Sequence, residues 1–157
     1  MATASNQFHS HPAHPPPVIR ANNPTVLFVT ICVCPRRRIL ANEVAHFAMN
    51  QAWQGSTHWL VGRYMVMPDH VHFFCSPGTH QPPGIRRWSG FWKRAVGKVD
   101  PSLKRVFQED CWDVQIRDAA HFDEKLSYMM NNPVRAGLVE SSDQWPYQGK
   151  VHEVGWF

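Results

Sequence analysis

Met67-Pro68-Asp69-His70-Val71-His72-Phe73-Phe74 places two histidines one residue apart inside an apolar, β-like run. Side chains alternate faces along a strand, so His70 and His72 point one way and Val71 and Phe73 the other. Two imidazoles side by side on a rigid strand can hold one metal ion. The plainer alternative is a pair of solvated or hydrogen-bonded strand histidines. Pro68-Asp69 is a turn signal with a mechanism, because Pro presets φ and Asp bonds its own backbone. Trp59 to Met67 and His70 to Cys75 therefore read as the two strands of an antiparallel hairpin.

Outward from this hairpin, Pro24 to Cys34 reads as a strand. Val26, Phe28 and Thr30 alternate with Leu27, Val29 and Ile31, apolar on both faces as an interior strand would be. Pro35 and the triplet Arg36-Arg37-Arg38 close it; the triplet is either a solvated turn or a phosphate contact. Asn42 to Gln54 reads as a helix, with Asn42 as N-cap, Gly55 as stop, and an apolar face of Val44, Phe47 and Met49 with Ala45, Ala48 and Ala52. A Pro/Gly loop over residues 76–84 leads into a helix from Ile85 to Val99, striped by Ile85, Trp88, Trp92, Val96 and Val99. Val106 to Arg117 reads as a fourth strand. Asp118 caps a last helix from Ala119 to about Asn131, which Pro133 ends or kinks by biasing Asn132 away from helical geometry. The first six elements spell β-α-β-β-α-β, so the fold class is α+β: a ferredoxin-like antiparallel sheet with two helices on one face, plus a C-terminal helix free to approach from elsewhere.

Residues 1–24 are polar and Pro-rich and read as a disordered arm, residues 25–139 as the single domain, and residues 140–157 as a C-terminal tail. His9, His11 and His14 in the arm offer adventitious metal ligands. The 157 residues suffice for one real core. A formal charge of +4 favours an anionic partner. Seven Trp and nine Phe can pack or stack on bases. Cys32, Cys34, Cys75 and Cys111 follow no secretory signal and read as reduced thiols in a cytosolic protein; Cys32-Val33-Cys34 lacks the spacing of a zinc knuckle. No apolar run reaches the roughly 20 residues of a membrane span.

Between residues 86 and 105 there are seven Lys/Arg and one acid, Asp100. A basic helix beside aromatics suits nucleic-acid phosphates, although a solvated amphipathic helix has the same pattern. On the last helix Phe122, Leu126 and Met129 form the core stripe, and Tyr128 falls about 130° from its centre. That offset predicts a partly exposed tyrosine. Asn132 follows four residues later, near Tyr128 on the same side, and an Asn oxygen can bind a hard cation. A phenol and a carbonyl ligand on one helix could thus meet the two strand histidines; a surface Tyr and a helix-ending Asn are the plainer reading.

His70-Val71-His72, preceded by Met67-Pro68-Asp69, resembles the His-hydrophobic-His motif of the HUH superfamily. Tyr128-Met129-Met130-Asn131-Asn132-Pro133-Val134-Arg135-Ala136-Gly137-Leu138-Val139 resembles the catalytic helix of the REP-associated tyrosine transposases, relatives of the single-tyrosine transposases of small insertion sequences. Phe107-Gln108 to Ile116-Arg117-Asp118 and Trp145-Pro146-Tyr147 resemble the family's preceding segment and closing motif. The resemblance covers about residues 24–148. Two departures stand out: Phe107 replaces a common Trp, and Asp113-Val114 lacks the His that often follows the acidic residue.

The resemblance implies a metal-dependent endonuclease and strand transferase acting on single-stranded DNA with hairpins, the REP-like palindromes. Tyr128 would be the nucleophile, giving a 5′-phosphotyrosine and a free 3′-OH. An ordinary phenol titrates near 10 and needs help at neutral pH. A divalent metal, Mg²⁺ or Mn²⁺, on His70, His72 and Asn132 would polarise the scissile phosphate. Arg86, Arg87, Arg94, Lys98, Lys104, Arg105 and Arg135 are the candidate DNA contacts. A bacterial, cytoplasmic and nucleoid-associated protein follows, as monomer or homodimer, with no membrane partner. Two other classes compete: a non-catalytic ferredoxin-like nucleic-acid-binding module, and a zinc hydrolase using His70, His72 and Cys75. Cys75 lies an odd number of residues from both histidines and would face away, which counts against the hydrolase.

Overall fold

The computed structural model describes residues 13–20 and 23–156. Strand β1 (Leu27–Cys32), helix α1 (Glu43–Gln54), strands β2 (Trp59–Val66) and β3 (His70–Pro77), helix α2 (Ile85–Val99) and strand β4 (Trp112–Gln115) follow in that order. The sheet runs β4-β1-β3-β2 and continues to an edge strand, β5 (Gln148–Lys150). Strand β3 is antiparallel to both its neighbours. This is the predicted ferredoxin-like sheet, enlarged by one strand. Helix α3 (Ala119–Met130) and the short helix α4 (Asn132–Arg135) complete the α-helices among the described residues.

Alternation along the central strands builds two cores. Leu27, Val29, Ile31, Val71, Phe73 and Cys75 face α1 and α2. There Trp53 packs with its ring centre 5.0 Å from Tyr64, 5.5 Å from Phe73 and 5.5 Å from Trp92. A buried aromatic of this size contributes about 1.5–3 kcal/mol by leaving water. Val26, Phe28 and Phe74 face the other way, against Ile116 and Met129. Phe122 of α3 lies 4.5 Å from Phe74 between ring centres. Helix α3 therefore lies on the sheet face opposite α1 and α2, the same face as His72.

The predicted caps form: Asn42 accepts from the Ala45 amide at 2.9 Å, and Asp118 from the His121 amide at 2.7 Å. Each satisfies an amide that the first helical turn leaves open. Several expectations change. Helix α1 buries Ala45, Ala48, Met49 and Trp53, while Val44 and Phe47 stay exposed; Trp53 outweighs them as the anchor. Val99, at the end of α2, is also exposed. Strand β4 is far shorter than Val106 to Arg117. Phe107 keeps only an isolated bridge to Val33, and Lys93 Nζ donates to the carbonyls of Gln108, Glu109 and Asp110, diverting them from a ladder. Helix α3 ends with Asn131 as its C-cap, and Asn132 begins α4 rather than leaving helical geometry. Pro133 is tolerated because the first turn needs no amide there.

The segment expected to be a tail is part of the fold. Trp145 donates its indole N–H to the Val66 carbonyl at 2.9 Å, and β5 pairs with β2. Of the arm, residues 1–12 with His9 and His11, and residues 21–22, lie outside the described residues. Residues 13–20 do not stand free: Val18 exchanges two hydrogen bonds of 2.8 Å with the Gln115 side chain.

Gly137 stops α4 with a φ of 73°, and its amide and that of Leu138 close the turn onto Val134 and Pro133. An L side chain in that left-handed conformation costs ~1–2 kcal/mol. Gly137→Ala should therefore lower the unfolding free energy by about that amount in a urea titration; an unchanged midpoint would refute the stop.

Candidate active site

His70 and His72 leave β3 on one face, their ring centres 4.8 Å apart. His72 is 4% exposed. It lies opposite Thr30 of β1 in the ladder, with its Nδ1 2.8 Å from the Thr30 hydroxyl. Asn132 Nδ2 donates to His72 Nε2 across 3.2 Å. A nitrogen that accepts carries no proton, so His72 holds its proton on Nδ1 and aims the Nε2 lone pair at Asn132. Phe28 stacks on the ring at 5.3 Å.

His70 Nδ1 donates to Asp69 at 2.8 Å, and Arg36 donates to the second Asp69 oxygen at 2.7 Å. Burial alone would raise the Asp69 carboxyl, but the bonds from His70 and Arg36 hold it below the ordinary carboxylate range. His70 thus also keeps Nε2 free. Burial lowers its pKa, and the Asp69 carboxylate only partly restores it. Burial pushes His72 down to about 3, helped by the positive charges of His70, Arg135, Arg36 and Lys125. Both imidazoles are neutral at physiological pH, the state that ligates metals.

Tyr128 is 45% exposed, as its offset from the core stripe predicts. Its ring centre lies 5.7 Å from that of His72, edge to face. The Arg135 guanidinium sits 4.2 Å from the centre of the tyrosine ring and donates to the Tyr128 carbonyl at 3.1 Å. Lys125 Nζ lies 6.0 Å from the same ring. The fold therefore brings together His70, His72, Tyr128, Asn132 and Arg135. The two histidines and Asn132 fit a divalent cation: outer hydrogen bonds to Thr30 and Asp69 leave both Nε2 atoms unprotonated, and Asn132, which now donates to His72, would present its oxygen after a half-turn of its amide. Cys75 is buried on the other face, as its odd spacing requires.

The basic residues of α2 do not join this cluster. Arg94, Lys98, Lys104 and Arg105, with Lys93, line a separate groove of about 670 Å³ between α2 and the segment before β4. Arg94 and Arg87 lie over the exposed Phe91 ring at 5.1 and 5.9 Å. Arg86 pairs with Glu109 at 3.3 Å. Gln108 on the groove wall exchanges hydrogen bonds with the Cys32 backbone, and Cys32 stands opposite His70. Sequence reasoning missed Thr30, Asp69 and Lys125 as members of the site, and Asp69, adjacent to His70, read as a turn residue. Arg36 read, within the triplet 36–38, as either a solvated turn or a phosphate contact, and its bond to Asp69 was not foreseen.

No protein-family model matches the chain. The chain is similar to a REP-associated tyrosine transposase of Escherichia coli (strain K12), with 25% identity over 89 residues, 55% of this chain and 52% of that protein. The match thus spans about half the length of this curated relative. A solved structure of a REP-associated tyrosine transposase bound to a REP hairpin aligns with a TM-score of 0.66, covering 89% of this chain and 96% of that one at 19% identity. That likeness is one of fold. The sequence and fold comparisons agree with the resemblance carried by Met67–Phe74 and Tyr128–Val139. No helix among the described residues is long and apolar enough to cross a membrane.

The His72 shift has a sign that can be measured. Its folded pKa of about 3 lies below the ordinary 6.5, so between those values the unfolded chain binds the extra proton. Stability contributed by the neutral ring is full above about pH 6.5 and is lost as pH falls, at roughly 1.4 kcal/mol per pH unit. In EDTA, the melting temperature should drop from about pH 6.5 to about pH 4, and more steeply than in His72→Asn. Equal slopes for the two proteins would exclude a buried neutral imidazole.

Proposed function

We propose that the chain is a metal-dependent endonuclease and strand transferase for single-stranded or hairpin DNA, working through a 5′-phosphotyrosine. The observation that carries this reading is convergence. Tyr128 and Asn132, about 60 residues from His72 in sequence, meet it from one helical segment, with the tyrosine on the half-exposed side.

Tyr128 would attack a backbone phosphate. Its phenolic oxygen forms the new bond to phosphorus, the phenolic proton is lost, and the 3′ oxygen leaves and takes up a proton as a free 3′-OH. The phosphotyrosine keeps the bond energy, so a 3′-OH can reverse the step at another end without ATP. Arg135 and Lys125 place positive charge beside the ring, where a phosphodiester and its transition state carry negative charge. Asp69 and Thr30 orient the two imidazoles, and Phe28 packs against the buried one. A divalent cation, Mg²⁺ or Mn²⁺, held by His70, His72 and Asn132 would polarise the scissile phosphate. The groove of Arg94, Lys98, Lys104 and Arg105 would take the phosphate backbone, with Arg86 and Arg87 flanking it, because a row of cations next to aromatics binds strands by charge and stacking.

Two experiments test the reading. Tyr128→Phe should abolish both cleavage of a labelled hairpin oligonucleotide and the covalent protein–DNA adduct seen by denaturing gel and mass spectrometry, while DNA binding persists. An adduct that survives in this variant removes Tyr128 as nucleophile, and binding without cleavage by the parent protein leaves only the non-catalytic binding module. His70→Ala and His72→Ala should lose Mn²⁺-dependent cleavage, and Asp69→Asn should raise the Mn²⁺ concentration for half-maximal cleavage ~10–100-fold. Full activity in EDTA would eliminate the metal.

A further inference from the structure

A second set of donor atoms lies across the sheet from the histidine pair. His14, Cys111 and Asp113 each bring one ligand atom, and all three atoms lie within 4.8 Å of one another. Cys111 is fully buried. Asp113 stands opposite Val29, whose side chain belongs to the core under α1 and α2; Thr30, by contrast, bonds His72 on the other face. We propose that His14, Cys111 and Asp113 form a site for a transition-metal dication, Zn²⁺ fitting best, which fastens the N-terminal arm to edge strand β4.

Without an ion, His14 bridges the Asp110 and Asp113 carboxylates through its two ring nitrogens, and the same arrangement supplies the outer partner that a metal-bound imidazole needs. Asp110 accepts from His14 Nε2 at 2.6 Å, while Nδ1 points at the Asp113 carboxylate. A metal-bound imidazole typically gives its outer N–H to a carboxylate, which fixes the tautomer and frees the other nitrogen as ligand. Asp110 occupies that position, and Nδ1 is the nitrogen nearest Asp113. The donor set also discriminates between ions. One thiolate, one imidazole and one carboxylate suit borderline-soft Zn²⁺, whereas Mg²⁺ and Ca²⁺ take oxygen. On coordination the Cys111 sulfur and His14 Nδ1 each release a proton to solvent and bond the ion instead, while His14 Nε2–H stays with Asp110.

The place in the fold explains what the ion would do. Strand β4 is the sheet's outer strand beyond β1, so its free edge is an open template for another chain. Val18 already bonds Gln115 on that strand. A metal at His14 would pin the segment 13–20 there and tie it to the loop that Lys93 holds.

Co²⁺ is the probe, added to the 157-residue chain carrying His70→Ala and His72→Ala so that the proposed site on β3 is silent. A thiolate-to-cobalt charge-transfer band should appear with one equivalent and vanish when Zn²⁺ displaces the probe. The band should be lost on adding His14→Ala, and it should weaken ~10–100-fold in affinity with Asp110→Asn while its position stays unchanged. Cys111→Ser removes the sulfur but also alters the core, so His14→Ala is the deciding variant. Absence of the band, or a band that survives His14→Ala because Cys32 and Cys34 supply it, overturns the proposal.

Discussion

His72 is an imidazole almost without water, and both its nitrogens are engaged by side chains from other parts of the chain. A buried polar ring without partners would cost roughly 1–3 kcal/mol or more. Thr30 and Asn132 remove that cost, and in doing so they tie β1, β3 and α4 into one arrangement. Burial also keeps the ring neutral. Structure and chemistry therefore ask for the same thing, an uncharged imidazole with one lone pair aimed at the helix that carries Tyr128.

The sheet's two faces divide the labour. One face is closed by α1 and α2 over a tryptophan-rich core, which gives rigidity to the strand bearing the histidines. The other is only partly covered by α3, leaving Tyr128, Lys125 and Arg135 at the boundary with solvent. On the proposed function, that openness would admit a polymer and the rigid strand beneath would hold an ion. The basic groove stands apart from the cluster of His70, His72, Tyr128 and Asn132. It connects to the histidine strand through Gln108 and Cys32.

Two segments outside the βαββαβ order, residues 13–20 and 145–150, finish the sheet. Trp145 and β5 close the β2 side, and residues 13–20 lie along β4. Gly62 allows the closure at the C-terminal end, since a Cβ there would stand 2.7 Å from Val154. The polar, Pro-rich composition of the arm hid its attachment. The contacts that hold it come from His14 and Val18 meeting residues about a hundred positions away.

By itself the sequence determined the element order, the caps at Asn42 and Asp118, the shared face of His70 and His72, and the exposure of Tyr128. These follow from periods of 2 and 3.6 residues and from local capping chemistry, which act within a few positions. It also carried the two motifs whose resemblance the comparisons support. Only the tertiary structure decided that Asn132 reaches His72, that Thr30 and Asp69 set the ring tautomers, and that Arg36, in a triplet legible equally as a solvated turn or a phosphate contact, bonds Asp69 beside His70. It likewise chose Trp53 over Val44 and Phe47 as the anchor of α1, and it made a strand of residues 148–150. Each of these depends on which residues distant in sequence come within a few ångströms, and side-chain hydrogen bonds across a sheet leave no periodic trace along the chain.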